Sequence, residues 1–297
     1  MGKNRHLGIR DLPYTAAVGA PAGVEVVPLG GLFDRARRHG NDPHASLRPA
    51  FHQLIAVRER PLHLTVDFVE HELPPGAWLW IRPGQVQRFG RDLPAAEGTI
   101  VVFQPGFLPP ATLAAAGMDP PYRQAPVLPS GQDARALRLG LDHLAFEFTA
   151  LTSLPLASHV EVLRHLVSVL VLRLAKATGG SAAPGPATEV FRRLSDAVER
   201  DHRVTRRVED YAAALGYSPR TLSRASLAVT GMSAKKYIDE RVLLEAKRLL
   251  LHTDRAAKDV AAELGFADPS DFTKFFRLRT GTTPGGFRAR ALRADTT

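Results

Sequence analysis

The sequence contains no cysteine. Disulfide bonds, cysteine-based zinc knuckles and thiol catalysis are thereby excluded. Long apolar runs are also missing. The most apolar stretch, Val160–Ala175, is too short to span a bilayer and is interrupted by Arg164, His165 and Arg173. The opening Met-Gly-Lys-Asn-Arg-His leads into no apolar segment of signal-peptide length, so a soluble, cytoplasmic protein with no membrane partner is expected. Tryptophan is scarce: the chain has 2, Trp78 and Trp80, whose alternation puts both on one face of an extended strand.

What is present is a chain of 297 residues with 44% hydrophobic and 23% charged residues, the balance of a globular protein of about two domains. The net charge of +9 is unevenly spread. From residue 188 onward there are 21 Lys/Arg against 15 Asp/Glu, and before it 18 against 15. The basic surplus therefore favours the C-terminal third, where it coincides with an internal repeat, and points to an anionic partner such as nucleic acid.

The repeat runs Asp210-Tyr-Ala-Ala-Ala-Leu-Gly216-Tyr217, Pro219, Leu222, Arg224, Gly231, Ser233, Tyr237. It returns as Asp259-Val-Ala-Ala-Glu-Leu-Gly265-Phe266, Pro269, Phe272, Lys274, Gly281, Thr283, Phe287. The offset is 49 residues up to the glycine and 50 after it. Each copy reads as helix, glycine-containing turn, helix, the arrangement that lays a second helix in the DNA major groove. Between them, Ser233–Leu251 predicts a 19-residue helix of roughly 28 Å, a rigid spacer for two heads about one turn of DNA apart. Apolar Leu215, Leu222, Leu264, Phe272, Phe276 and Phe287 are expected in the core, and Pro284–Arg288 as a short closing turn.

Over about residues 190–290 the chain resembles the AraC/XylS-type transcriptional regulators. The resemblance rests on Leu222-Ser-Arg224, Gly231-Met-Ser233, Arg241 with Ala246, Leu249 and Leu250, then Asp268-Pro-Ser270, Phe275-Phe276-Arg277 and Gly281-Thr-Thr-Pro284. Two positions depart from the family. Ser226 stands where a Phe is usual, with Leu227 beside it to fill the space, and Asp271 replaces an aromatic. The resemblance implies DNA contacts by Arg220, Ser223 and Arg224 in the first copy and Ser270, Thr273 and Lys274 in the second. It also implies double-stranded DNA and RNA polymerase as partners and a place on the nucleoid. The first copy, with two arginines, is expected to carry most of the sequence specificity.

The fold class expected is α+β and multidomain. Residues 1–22 read as a flexible tail, 23–177 as a sensory and dimerisation domain, 178–187 as a linker and 188–293 as an all-α domain with two helix-turn-helix motifs. Strand-like runs at 51–57, 63–69 (with Leu64, Val66 and Phe68 on one face), 78–81 and 99–103, punctuated by Pro and Gly, suggest a small antiparallel barrel or sandwich. This segment looks like the cupin-like barrel that precedes the DNA-binding domain in many family members. Helical patterns near 137–148 and 158–176 follow, either packed on the barrel or serving as a homodimer interface. Phe51, Trp78, Trp80, Phe89 and Phe103 are candidates to line an effector pocket, against the plainer reading of core packing. A regulator without ligand, whose first domain only dimerises or binds a protein, is the alternative. A cupin metalloenzyme is a third reading. It would draw on His44, His52, His63, His71, Glu59, Glu70 and Glu72, but no His-x-His occurs and Gln87 stands at the late histidine position, so neither metal nor cofactor nor catalytic activity is expected.

Overall fold

The computed structural model describes residues 10–15, 23–38, 42, 44–116, 125–150, 154–177, 186–253 and 255–294. These fall into two compact units, residues 10–177 and 186–294. Most of the expected tail and linker lies outside the described residues. Within those stretches, Arg10–Leu12 forms a strand and a helix begins at Pro186.

The first unit runs β1 (Arg10–Leu12), β2 (Val24–Pro28), α1 (Leu29–Arg38), β3 (Leu47–Pro49), β4 (His52–Val57), β5 (Leu62–Val66), β6 (Val69–Leu73), β7 (Trp78–Ile81), β8 (Gln87–Phe89) and β9 (Gly98–Phe103). It closes with α2 (Pro110–Ala115), α3 (Gly131–Thr149) and α4 (Leu156–Ala177). The strands form two sheets, ordered β1-β3-β8-β5-β6 and β2-β9-β4-β7. No ladder joins the sheets among the described residues, so the expected closed barrel is an open two-sheet sandwich. Closure is not needed to bury the inner faces, because side chains of the two sheets already pack between them. The edges are covered by other means: α1 packs along β2 and β9, and Trp78 exchanges two 2.8 Å backbone hydrogen bonds with Val127.

The central strand β4 is buried at all six positions because both its faces are covered. Ile55 and Val57, with Leu79, Ile81, Ile100 and Val102 of neighbouring strands, pack into the sandwich. Leu54 and Ala56, with Trp78, Val101 and Phe103, pack against α3 and α4. Two local expectations fail here. The run at 63–69 is broken by a tight turn at Asp67 and Phe68, both at positive φ (48° and 70°), so Phe68 does not continue the strand face. Such a turn matches the twist of a hairpin, and the Asp67 carboxylate stabilises it by accepting from Gln85 Nε2 at 2.9 Å and Val86 N at 3.0 Å. Helix α1 also lies where only strands and turns were expected, its glycines 30 and 31 having concealed it.

On the helix-facing side, Trp80 Nε1 donates to His52 Nδ1 at 3.2 Å, and the His52 ring stacks on Phe103 with centroids 4.7 Å apart. Burial, then the Arg82 charge, lowers the His52 pKa from 6.5 to about 3. Between those values the unfolded chain binds a proton that the folded unit refuses, so this residue costs stability progressively as pH falls through the window. His52→Phe is expected to flatten the loss of stability between about pH 6.5 and pH 4, read by tryptophan fluorescence in urea. An unchanged slope would remove His52 as its source.

The second unit is helical: α5 (Pro186–Asp201), α6 (Val208–Leu215), α7 (Pro219–Thr230), α8 (Ala234–His252), α9 (Ala257–Glu263), α10 (Pro269–Thr280) and α11 (Pro284–Ala294). Its boundaries are set by local chemistry. The Ser218, Ser233 and Asp268 side chains accept from Thr221 N, Lys236 N and Ser270 N as N-caps. Leu222, Tyr237, Ile238, Val242, Leu264, Phe272 and Phe276 form the core, while Leu215 and Phe287 are half-buried. The closing segment is a helix of 11 residues rather than a short turn.

Candidate nucleic-acid interface and ligand cavity

Each repeat exposes one helical stripe opposite its buried face. On α7, Arg220 and Arg224 are exposed and Ser223 half-buried, opposite buried Leu222 and Ala225. On α10, Ser270 and Lys274 are exposed and Thr273 half-buried, opposite Phe272 and Phe276. The six residues named from sequence thus lie in two sets of three at matching positions of two equivalent helices. Many arginines of this unit are tied into ion pairs, but the Arg220 and Arg224 side chains make none among the described residues. Lys274 lies 3.5 Å from exposed Asp271.

The next position on each stripe separates the copies and was not among the six. Arg277 continues the α10 stripe, exposed and unpaired among the described residues, where α7 carries Leu227. The 50-residue offset already aligns 227 with 277. Leu227 does not fill the space beside Ser226: it is 58% exposed, and fully buried Ser226 leaves its hydroxyl without a partner among the described residues. The helix turns Leu227 onto the outer stripe, away from the core.

The two heads are tied to one another by a closed circuit of contacts. The Arg206 guanidinium, in the segment before α6, lies 3.5 Å over the Phe266 ring and donates to Leu264 O at 3.0 Å. Phe266 meets Phe275 edge-on at 5.2 Å, and Arg279 stacks on Phe275 at 3.9 Å. Arg279 bonds Asp239 of α8 at 2.6 Å, Asp239 bonds Lys235 at 2.7 Å, and Lys235 returns to the Arg206 carbonyl at 3.0 Å. Burial lowers the Arg206 pKa, with Asp239 and Asp271 opposing it. Behind this circuit lies a buried ionic cluster. Glu245 accepts from Arg203 at 2.7 Å, Arg241 at 3.2 Å and Arg248 at 3.3 Å, and Arg241 also bonds Glu199 at 2.9 Å. Burial opposes the Arg241 charge, but Glu199 and Glu245 outweigh it and hold its pKa above the usual arginine value.

In the first unit, a cavity of about 380 Å³ opens between the sheets. Of the aromatic candidates, Phe51 and Phe89 line it. Trp78, Trp80 and Phe103 do not, because they alternate onto the opposite face of their sheet against α3 and α4. Trp78 and Phe103 are buried in that cluster, and Trp80 packs against it, partly buried. The cavity also takes in residues 11–15, beyond the start expected for this domain, and Glu25, Arg35, Gln53 and Gln87. Among the described residues no group of three or more His, Cys, Asp or Glu is placed to hold a metal ion. His63 instead bonds Asp92 at 3.0 Å, a contact that raises its pKa, and the His44 ring lies 3.3 Å from Phe89 O. No helix among the described residues is long and apolar enough to cross a membrane.

The sequence pattern of the helix-turn-helix domain family matches residues 211–290. The HTH-type transcriptional regulator ExsA of Pseudomonas aeruginosa is 33% identical over 96 residues, 32% of this chain and 34% of that one. The HTH-type transcriptional activator RhaS of Klebsiella pneumoniae is 34% identical over 80 residues, 27% of this chain and 29% of that one. The similarity therefore spans about a third of these relatives' length. Among solved structures, the DNA-binding domain of AdpA, a global transcriptional factor in complex with a target DNA, is 33% identical. The match covers 37% of this chain and 95% of that one, with a TM-score of 0.32.

Proposed function

The chain belongs to the AraC/XylS family of DNA-binding transcriptional regulators, and we propose from that premise that it binds a specific operator through both α7 and α10 and answers to a small-molecule effector held in its first unit. The observation that carries the operator reading is the matched pair of outward stripes, with Arg220, Ser223 and Arg224 on one helix and Ser270, Thr273 and Lys274 on the other. An unpaired arginine can grip guanine O6 and N7 with two hydrogen bonds, worth about 1–3 kcal/mol of discrimination. Arg224→Ala is accordingly expected to relax base preference at one subsite by about tenfold or more, measured by competition between operator variants. A uniform loss across all sequences would reduce Arg224 to a backbone anchor.

The effector reading is favoured over a ligand-free regulator by the inter-sheet cavity, whose size suits a small molecule. Exposed Leu139 and Phe146 on α3, with Leu156, Val169 and Leu172 on α4, support homodimerisation through this helix pair. RNA polymerase contact and a cytoplasmic, nucleoid-bound location complete the proposal.

A further inference from the structure

The inter-sheet cavity is built unevenly. Its lining is mostly apolar, with Leu12, Val27, Leu32 and Ile100 among it. It also takes in Gln53 of β4 and Gln87 of β8, one from each sheet and each only 3% exposed, whose side-chain carbonyl oxygens have no hydrogen-bond partner among the described residues. The Tyr14 hydroxyl also lines the cavity; burial, then the Glu25 carboxylate, pushes its pKa up to about 12 against the Arg35 charge and a hydrogen bond with the Gly23 backbone, so it stays neutral. A buried acceptor left unpaired is costly, which makes such atoms a demand for donors from whatever enters. The charges, by contrast, are already satisfied: Arg35 is ion-paired with Glu25, whose side chain is 4% exposed. An entering carboxylate would have to share Arg35 with Glu25 and pay for the proximity of like charges.

We propose that this cavity binds a neutral, largely apolar small molecule carrying at least two hydrogen-bond donors, one for Gln53 and one for Gln87. The regulatory consequence rests on the effector reading above; the binding chemistry does not. The test is a thermal-shift and calorimetric screen of the full-length chain. The probes are neutral two-donor ring compounds of about eight to twenty heavy atoms, each beside its carboxylate analogue and its donor-free methyl-ether analogue. Neutral two-donor compounds should raise Tm, by roughly 5 °C at a hundredfold excess over Kd. Each donor removed should weaken binding about tenfold. Gln87→Leu should abolish the shift while leaving the ligand-free Tm within a few degrees. Should that variant misfold, Val27→Trp, which fills the cavity, must abolish binding instead. Carboxylates binding as well as their neutral partners, no neutral donor binding at all, or binding that survives either folded variant would each overturn the proposal. A compound that binds through Gln87 yet leaves operator affinity unchanged would remove the effector reading and leave the ligand class standing.

Discussion

Glu245→Ala is expected to destabilise the DNA-binding unit by about 3–5 kcal/mol, the usual cost of breaking a buried ion pair from one side. Glu245 is 3% exposed and is the shared counter-charge of Arg203, Arg241 and Arg248, so its loss leaves cationic groups in the interior with too little compensation. Arg241 retains Glu199, but at one end only. Against a typical total stability of about 5–15 kcal/mol, the loss would leave the unit marginal or unfolded. Tryptophan fluorescence reports the first unit alone, because both tryptophans lie there, whereas the far-ultraviolet helix signal sums the second unit with α1–α4 of the first. In urea, part of the variant's helix signal should therefore melt in an early phase while tryptophan fluorescence keeps its midpoint. Coincident shifts of both signals, or no shift in either, would contradict this placement of the charge cluster. Glu245→Gln, which keeps the shape and loses the charge, should fall between.

Gly265→Ala should cost far more than Gly216→Ala, although the two glycines are equivalents in the repeat. Both sit at positive φ, 71° for Gly216 and 69° for Gly265, and any L-residue there costs about 1–2 kcal/mol. Around Gly216 an added methyl meets open space. At Gly265 it would lie 2.6 Å from the Arg203 carbonyl oxygen and 3.4 Å from that of Val204, both backbone atoms with no side-chain freedom to yield. The clash adds about 1–3 kcal/mol, as overpacking does, and pushes away the segment that carries Arg206 onto Phe266. Helix melting and operator affinity should therefore both suffer in Gly265→Ala, with Gly216→Ala mildly destabilised and still binding. Equal effects at the two positions would mean that the first segment does not brace the second head.

The same contrast explains what was legible in the sequence. The helical unit declares itself because the turns of its repeat carry their own chemistry: Ser218, Ser233 and Asp268 cap, and Gly216, Gly231, Gly265 and Gly281 take positive φ. A repeat then doubles each signal. The brace between the copies is hidden, since Arg206 and Phe266 lie 60 residues apart and nothing local marks them as partners. In the first unit the strands at 52–57, 78–81 and 98–103 are visible as apolar runs, but their two faces are not distinguishable while both are covered. The alternation of Trp78 and Trp80 puts both on one face but does not say which layer that face meets; here it meets α3 and α4. The turn at Asp67-Phe68 lacks the glycine that usually announces one, and its support comes from Gln85 and Val86, remote in sequence. Arg277 carries the α10 stripe on for a further turn, at a position where the first copy has the apolar Leu227 and the repeat therefore marks no cation. Its presence gives the second copy two outward cations and narrows the advantage expected for the first.

The most direct measurement is selection of DNA from a random library by the full-length chain. If both heads bind DNA as proposed, held by α8 and the Arg206 circuit they read one face of the duplex, so the selected sites should carry two short sequence blocks centred about 10 base pairs apart, at a fixed spacing. Enrichment of a single block, of two blocks at variable spacing, or of no sequence at all would contradict the account.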